Sequence, residues 1–341
     1  MLTLGIESSC DETSCAVLKD GDKILSNIIS SSLFRHKPFG GIVPEIASRH
    51  SLEQIEVVFQ EALSEAKIKP EDLDLIAVTE GPGLIGSLLV GISFGKALAF
   101  RLNKPLIGVN HLEAHLAANF IGTETPSSYV GLLVSGGHSI LSYQQKDQIE
   151  ILGSTVDDAV GEAYDKVAKI LGLGFPGGPV IDKLAAAGNA QAFRFTKPKQ
   201  DCPFDFSFSG IKTAVLYEVQ KQQKQGASEA RKLPEAFVRD MAASFQSAVV
   251  GWMVDKTLQA AETKKAGDVV VGGGVSANSF LRQRLPEEGK KRGIKVSFPD
   301  RILSLDNAAM IARRGWEIFN EGKKSNLTMT GLPNLKMGKR V

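Results

Sequence analysis

The stretch LTLGIESSCDETSCAVL, residues 2–18, decides the fold. Residues 2–8 predict a buried strand, the polar residues 8–14 a turn, and residues 15–18 a second strand. The pair Asp20-Gly21 predicts a tight hairpin into a third strand over 23–29. Backbone N–H and hydroxyl groups in the 8–14 turn can bind a phosphate, although an ordinary hairpin corner explains the same residues.

The same order of elements restarts in the second half of the chain. A strand over 129–134, the turn Ser135-Gly136-Gly137-His138, a strand over 140–143 and a hairpin at 146–147 lead to a strand over 148–152. The repeated order predicts a duplicated α/β protein rather than two unrelated meanders. We expect one lobe over 1–109 plus 307–341, a second lobe with helical insertions over 110–306, and the active site in the cleft between them.

The composition limits which class of protein this is and in which cell compartment it is expected. The 341 residues, 43% hydrophobic and 23% charged, suit two globular cores. No apolar run is expected to span a membrane, and the first residues lack the basic segment and cleavage site of a signal peptide. Three cysteines without metal-site spacing suit a reducing compartment. These features predict a cytoplasmic location, while a net charge of +2 neither indicates nor excludes nucleic-acid binding.

His111 and His115 form the strongest local motif. Their spacing places both rings on one face of a helix, where they can bind the same metal ion. Glu113 is two residues from each histidine and points to the other side, so this is not the His-Glu-x-x-His metallopeptidase motif. A carboxylate should be the third ligand, and Asp306 is a candidate; a plain helix N-cap is the simpler interpretation of Asp306.

Three further carboxylates are candidates for chemistry. Asp11 and Glu12 would repel a phosphate, so they indicate contacts with a metal, a water or an amine. As the carboxylates nearest the expected cleft they are our candidate general bases, although both can equally be solvated. Asp165 can accept hydrogen bonds from ribose hydroxyls, although a surface carboxylate is the commoner role of such a residue.

Ten segments, in order along nearly the whole chain, resemble the tRNA N6-adenosine threonylcarbamoyltransferase family, formerly labelled O-sialoglycoprotein endopeptidases. They are residues 5–14, 40–45, 81–84, 111–115, 134–138, 161–166, 176–179, 206–210, 272–278 and 306–310. The resemblance implies a duplicated actin/hexokinase-like fold. It also implies transfer of threonylcarbamoyl from threonylcarbamoyl-AMP to N6 of the adenosine 3′ of the anticodon in tRNAs that read ANN codons.

The resemblance also assigns residues and partners. It implies one divalent metal ion per subunit, iron first and zinc second, on His111, His115 and Asp306. Substrate contacts are implied at Val134, Ser135, Gly136, Gly137, His138, Asp165, Gly178, Asp182 and Asn278. The implied partners are tRNA, threonylcarbamoyl-AMP, an inactive paralogous subunit and a small ATPase, with no membrane.

One departure from the family pattern lies beside the implied metal ligands. Ser304-Leu305 stands where the family usually has Cys-Thr, so the packing next to Asp306 is expected to differ.

The sequence leaves two alternative functions. A metalloendopeptidase is disfavoured because the His-Glu-x-x-His motif and an export signal are absent from the sequence. A non-catalytic nucleotide-binding scaffold is disfavoured by the intact set of His111, His115 and Asp306.

Overall fold

A computed structural model describes residues 1–146, 148–225 and 233–338. It contains two compact units, Met1–Thr125 with Pro299–Val341, and Pro126–Phe298. The strands are β1 (Leu2–Glu7), β2 (Glu12–Lys19), β3 (Lys23–Ser31), β4 (Leu75–Gly81), β5 (Leu106–Asn110), β6 (Ser128–Val134), β7 (Ser139–Gln145), β8 (Gln148–Ser154), β9 (Asp268–Gly272) and β10 (Lys295–Ser297).

The helices complete the two units. They are α1 (Leu33–His36), α2 (Pro44–Ala66), α3 (Ile85–Leu102), α4 (His111–Ala117), α5 (Val160–Ile170), α6 (Gly177–Ala185), α7 (Ser209–Gln225), α8 (Glu235–Lys264), α9 (Ser279–Lys291), α10 (Arg301–Ser304) and α11 (Ala308–Asn320). The sequence-based lobe boundaries fall at 109/110 and 306/307, whereas α4 and residues 299–306 lie within the first compact unit.

The two units contain sheets of the same topology. The first sheet has the order β3-β2-β1-β4-β5 and the second the order β8-β7-β6-β9-β10. In each, the first strand pairs antiparallel with the second, as Leu4 with Val17 and Leu132 with Leu141. The first strand also pairs in parallel with the fourth, so β1 lies beside β4 and β6 beside β9. The predicted duplication is therefore confirmed.

Alternating side chains of the first sheet build two separate cores. Leu4 and Ile6 of β1 belong to the cluster under α2 and α3, together with Ile76 and Val78 of β4. The opposite face includes Ala77 and packs against α11. Covering both faces explains why β4 is an almost continuous apolar run rather than an alternating one. The second unit has one large core around α5, α6 and α8.

Helix α3 corrects one expectation. Within the described residues it alone is long and apolar enough to cross a membrane, with 18 residues of mean hydropathy 1.5, and 33% of that window is buried. The sequence was expected to contain no such run. The buried residues of α3 face the core of the first unit at one-turn intervals, including Leu88, Ile92 and Ala99. This arrangement is typical of a core helix, although the other face of α3 remains apolar.

Several local elements differ from the sequence-based prediction. The sequence predicts a helix over 157–171. Helix α5 instead begins at Val160, because Thr155 Oγ1 donates to the Asp158 carbonyl in a turn. Helices α6 and α7 were not predicted, and neither was the short strand β10. The predicted hairpin at 146–147 includes Asp147, which lies outside the described residues.

Candidate metal centre and substrate site

Helix α4 starts directly after β5 and fixes the two histidines. The Asn110 side chain caps the helix by accepting from the backbone N–H groups of Leu112 (2.9 Å) and Glu113 (3.4 Å). His111 therefore occupies the first helical position and His115 lies one turn later. Their ring centroids are 4.6 Å apart, so both imidazoles occupy one face as the spacing predicts.

Asp306 joins the histidines from the other end of the unit. Its Oδ1 lies 3.1 Å from His115 Nε2 and 3.6 Å from His111 Nε2. Ligand atoms of all three residues lie within 4.8 Å of one another. Asn307, not Asp306, caps α11, because its side chain accepts from Met310 N at 3.2 Å. The N-cap interpretation of Asp306 is therefore wrong.

The chemistry of the three residues fits a metal ion. His115 is 1% exposed, and neither of its ring nitrogens has a hydrogen-bond partner among the described residues. Its Nε2 faces the Asp306 carboxylate without hydrogen-bond geometry, the arrangement expected of two ligands directed at a common ion. Two imidazoles and one carboxylate suit iron or zinc and leave coordination positions open.

Glu7, which the sequence did not identify as a site residue, orients His111. Its Oε2 lies 2.9 Å from His111 Nδ1 and accepts from Thr79 Oγ1 at 2.7 Å. Burial lowers the pKa of His111, but the charges of Glu7 and Asp306 outweigh burial and raise it to about 9. The site therefore favours a positive charge. The sequence signal for this role was a carboxylate at the end of β1, a strand that is largely apolar.

Glu113 lies on the opposite side of α4, as predicted. Its carboxylate accepts from Arg314 Nη2 at 3.0 Å and from the Gly338 backbone N–H at 3.1 Å. Arg314 belongs to α11, the helix that follows Asp306. This buried pair links the helix bearing the histidines to the helix beside the third ligand.

The unusual Ser304-Leu305 pair leaves Asp306 in reach of both histidines. Ser304 is buried and its hydroxyl donates to the Asp300 carbonyl at 3.4 Å. The Leu305 side chain is 54% exposed, while its carbonyl accepts from Asn307 Nδ2 at 2.7 Å. These contacts hold the segment between α10 and α11.

Asp11 and Glu12 lie in the same unit and interact with each other. Burial, the neighbouring Asp11 and the charge of Asp306 raise the pKa of Glu12 well above its usual range. Glu12 Oε1 also accepts from Ser31 Oγ at 3.0 Å. The adjacent Cys10 thiol has a pKa raised by burial and by Asp11 and Asp306. The Glu12 carboxyl is thus close enough to Asp306 for the charge of Asp306 to raise the pKa of Glu12.

In the second unit, the turn that links β6 to β7 is exposed and tightly supported. Ser135 N donates to the His138 carbonyl at 2.8 Å, and His138 N donates to Ser135 Oγ at 3.1 Å. Gly136 and Gly137 are exposed at its tip. Gly273 has a φ of +86°, and a Cβ there would lie 2.4 Å from the Val134 carbonyl oxygen. Only glycine lets β9 approach the turn so closely.

The four remaining predicted substrate residues lie in α6 or contact it. Asp165 Oδ1 accepts from Gly177 N at 2.7 Å, and Gly178 and Asp182 lie one helical turn apart. Asp182 Oδ1 accepts from Asn278 Nδ2 at 3.1 Å. Burial raises the pKa of Asp165, against the opposing hydrogen bonds from Gly177 and Gly178. Both carboxylates therefore already support helix starts as well as being candidates for ligand contacts.

Gln246 completes this cluster and was not predicted. It lies 4% exposed in the middle of α8. Its Nε2 donates to Asp182 at 3.0 Å, and its Oε1 accepts from Asn278 at 2.8 Å. One buried amide therefore fixes two candidate ligand residues. A polar residue within a helix that is otherwise largely buried was the only sequence signal.

Comparisons with known proteins agree with this arrangement. The family model described as tRNA N6-adenosine threonylcarbamoyltransferase matches residues 23–313. Proteins of that name from Thermosipho africanus and Dictyoglomus turgidum are 52% and 49% identical to this chain. The first alignment covers 99% of this chain and 100% of the relative, and the second covers 100% of both.

Solved structures give the same fold at low sequence identity. Full-length HypF matches with a TM-score of 0.60 and 14% identity, over 93% of this chain and 46% of HypF. Component A of the Acidaminococcus fermentans (R)-2-hydroxyglutaryl-CoA dehydratase matches with a TM-score of 0.50 and 16% identity, over 93% of this chain and 98% of that one. These likenesses confirm the two-lobed, actin/hexokinase-like α/β fold.

Proposed function

The chain belongs to the tRNA N6-adenosine threonylcarbamoyltransferase family, and from this membership we propose how it performs the threonylcarbamoylation of tRNA. The donor is threonylcarbamoyl-AMP. The acceptor is N6 of the adenosine 3′ of the anticodon in tRNAs that read ANN codons. The observation that carries the proposal is the convergence of His111, His115 and Asp306 in a chain that matches the family over its full length.

His111, His115 and Asp306 would hold one divalent ion in each subunit, iron first and zinc second. When bound, this ion supplies a Lewis acid for the carbamoyl carbonyl group. Glu7 supports the arrangement because it fixes His111 Nδ1 and leaves Nε2 for coordination.

The transfer itself needs one proton acceptor and no protein nucleophile. The N6 nitrogen attacks the carbamoyl carbon, the bond from that carbon to the AMP phosphate oxygen breaks, and AMP leaves. Asp11 or Glu12, in its carboxylate form, takes the N6 proton, and burial together with Asp11 raises the pKa of Glu12. Burial and Asp11 raise the pKa of Cys10, which keeps its thiol protonated and unsuited to attack.

The AMP portion of the donor would bind to the second unit. In the turn formed by Val134, Ser135, Gly136, Gly137 and His138, the N–H groups of Ser135 and His138 are used within the turn. The exposed Gly136 and Gly137 at its tip would offer their backbone N–H groups to the phosphate. The ribose hydroxyls would donate to Asp165 and Asp182, with Gly178 and Asn278 beside them. Asp165 accepts from Gly177, the first residue of α6, and Asp182 in the second half of α6 accepts from Asn278; these contacts support the assignment.

The chain would work with an inactive paralogous subunit and a small ATPase, in the cytoplasm where its tRNA substrate is found. The exposed apolar face of α2 and α3 is our candidate surface for the paralogue. It includes Leu52, Val57, Ile85 and Leu89, each more than 40% exposed. A Leu89→Lys variant should no longer co-elute with the paralogue during gel filtration, and an unaffected complex would exclude this face.

A transfer assay tests the proposed function. Unmodified tRNA is incubated with the chain, its partners, Fe²⁺ and threonylcarbamoyl-AMP, and AMP release is compared with threonylcarbamoyladenosine formation. We expect one AMP for each modified adenosine, and neither product from the His111→Ala/His115→Ala variant. Release of AMP without modified tRNA would exclude the proposed acceptor.

A further inference from the structure

An exposed aromatic loop joins β3 to α2. We define the aromatic loop as residues 33–42, which include the short helix α1. Its Phe34 and Phe39 side chains are each 64% exposed. Arg35 and Lys37 lie between them in sequence. The Arg35 guanidinium carbon lies 5.7 Å from the centre of the Phe34 ring, so aromatic and basic groups share one surface.

A buried histidine anchors the aromatic loop. His36 is fully buried, and its Nδ1 accepts from Val43 N at 3.2 Å. That acceptor role leaves the proton on Nε2, which lies 2.9 Å from Ser32 Oγ. One residue in the middle of the loop thus ties together the two ends of the loop, while Phe34 and Phe39 face solvent.

The anchor leads directly to the candidate general bases. Ser32 donates to the Asp11 carbonyl from both its backbone N (2.8 Å) and its Oγ (3.0 Å). The preceding Ser31 donates from Oγ to Glu12 Oε1 at 3.0 Å. The aromatic loop therefore begins at the carboxyl pair to which we assign the N6 proton, and both lie in the first compact unit.

We propose that the aromatic loop binds the unstacked bases of the tRNA anticodon loop, with Phe34 and Phe39 stacking on bases and Arg35 and Lys37 contacting phosphates. The proposal rests on the proposed function and names the surface that presents the target adenosine. Single-stranded RNA is held by aromatic rings on which bases stack and by interleaved cations. With an overall charge of only +2, attraction to RNA depends on local basic groups, and Arg35 and Lys37 are such groups.

Arg35 also contacts Glu53, with Nη1 3.1 Å from Oε2. That exposed pair holds the guanidinium near Phe34 without removing it from solvent, since the Arg35 side chain is 37% exposed. The basic residues and the link to Asp11 together favour RNA over a protein partner.

Binding of an unmodified anticodon stem-loop RNA to the full-length chain tests this proposal. Fluorescence anisotropy measures the Kd, and 2-aminopurine in the loop reports stacking through quenching. Replacing both phenylalanines by leucine keeps apolar surface but removes the stacking ring, whereas replacing both by tryptophan keeps the ring. The control is Tyr217→Ala, which removes a ring that is 65% exposed on α7 of the other unit.

We expect the leucine double variant to bind the RNA at least about tenfold more weakly and to lose the quenching, because a stacked base contributes about 1–3 kcal/mol. The tryptophan and Tyr217→Ala variants should bind like the wild type. Wild-type affinity and quenching in the leucine variant would overturn the proposal. So would unchanged RNA binding combined with lost assembly with the paralogue, which would make the loop a protein-binding surface.

A separate readout distinguishes this proposal from the proposed function. If the wild-type chain forms threonylcarbamoyladenosine but the leucine variant binds RNA normally, only the aromatic loop assignment fails. If the wild-type chain modifies no tRNA, the proposed function fails first.

Discussion

Glu7 Oε2 and His111 Nδ1 lie 2.9 Å apart in the interior of the first unit. Glu7 is itself held by Thr79 Oγ1 at 2.7 Å and Ser9 N at 2.5 Å. These two bonds position the carboxylate, which in turn fixes the ring orientation of His111 and which nitrogen faces Asp306. A carboxylate in this position also raises the basicity of a metal-binding imidazole.

Replacing this carboxylate should weaken metal binding without removing a ligand. Glu7→Gln should lower the affinity of the metal-free chain for Zn²⁺ by about 10–100-fold. Calorimetry measures the affinity for Zn²⁺, and circular dichroism checks that the variant is folded. Glu80→Gln on the neighbouring strand β4 is the matched control and should bind Zn²⁺ normally. Equal affinities for the two variants would show that Glu7 does not tune the site.

Loss of the direct ligands should abolish binding. His111→Ala/His115→Ala and Asp306→Ala should each retain less than one tenth of the wild-type metal after loading and gel filtration. Elemental analysis of the purified chain gives this ratio. His138→Ala, a histidine of the second unit, should keep full metal content. Full metal content in the folded histidine double variant would place the ion elsewhere.

The structural role of Asp165 and its proposed role in ribose binding should respond differently to a substitution by asparagine. Asparagine caps a helix about as well as aspartate, so Asp165→Asn should preserve the start of α6 and the free energy of unfolding. It should weaken AMP binding about tenfold, because a hydrogen bond to a charged acceptor contributes about 1.5–3 kcal/mol. Metal content should stay unchanged. Unaltered AMP binding in calorimetry would remove Asp165 from the ribose site.

Glu12 should make stability depend on pH. Burial, then Asp11 and Asp306, raise its folded pKa above the ordinary value of 4.5. A raised folded pKa stabilises the chain below pH 4.5, and this stabilisation is lost as pH rises through the folded pKa. In metal-free protein, Glu12→Gln should therefore become more stable relative to the wild type as pH increases from 4 to 8.

Urea unfolding at several pH values measures that difference. Glu65→Gln, an exposed site on α2, should show no pH-dependent difference from the wild type. A constant difference between Glu12→Gln and the wild type would mean that the folded chain does not shift the pKa of Glu12.

The sequence could predict those features that depend on residues close together along the chain. The duplicated strand order followed from local alternation and turn residues, and the pairing of His111 with His115 from helical spacing. Helices α6 and α7 were missed because their first turns are supported from a distance. Gly177 donates to Asp165, 12 positions earlier, and Ser209 donates to Asp157, 52 positions earlier.

The same limit applies within the site. Glu7 is 104 positions from His111, so its role could not be assigned before β1 and α4 were placed. Asp306 was open to an N-cap interpretation because the sequence does not show which of Asp306 and Asn307 caps α11. The role of Gln246 depends on its hydrogen bonds to Asp182 and Asn278, which are 64 and 32 positions away, so the sequence alone could not assign it.

Nucleoside mass spectrometry of reacted tRNA tests the central claim most directly. An ANN-reading tRNA with adenosine 3′ of the anticodon is compared with a synthetic copy that carries purine riboside there and so lacks N6. Both are incubated with the chain, its partners, Fe²⁺ and isotopically labelled threonylcarbamoyl-AMP, then digested to nucleosides. We predict labelled threonylcarbamoyladenosine from the adenosine tRNA and none from the purine copy. Equal labelling of both tRNAs, or unmodified adenosine with the label on a protein cysteine, would contradict direct transfer to N6.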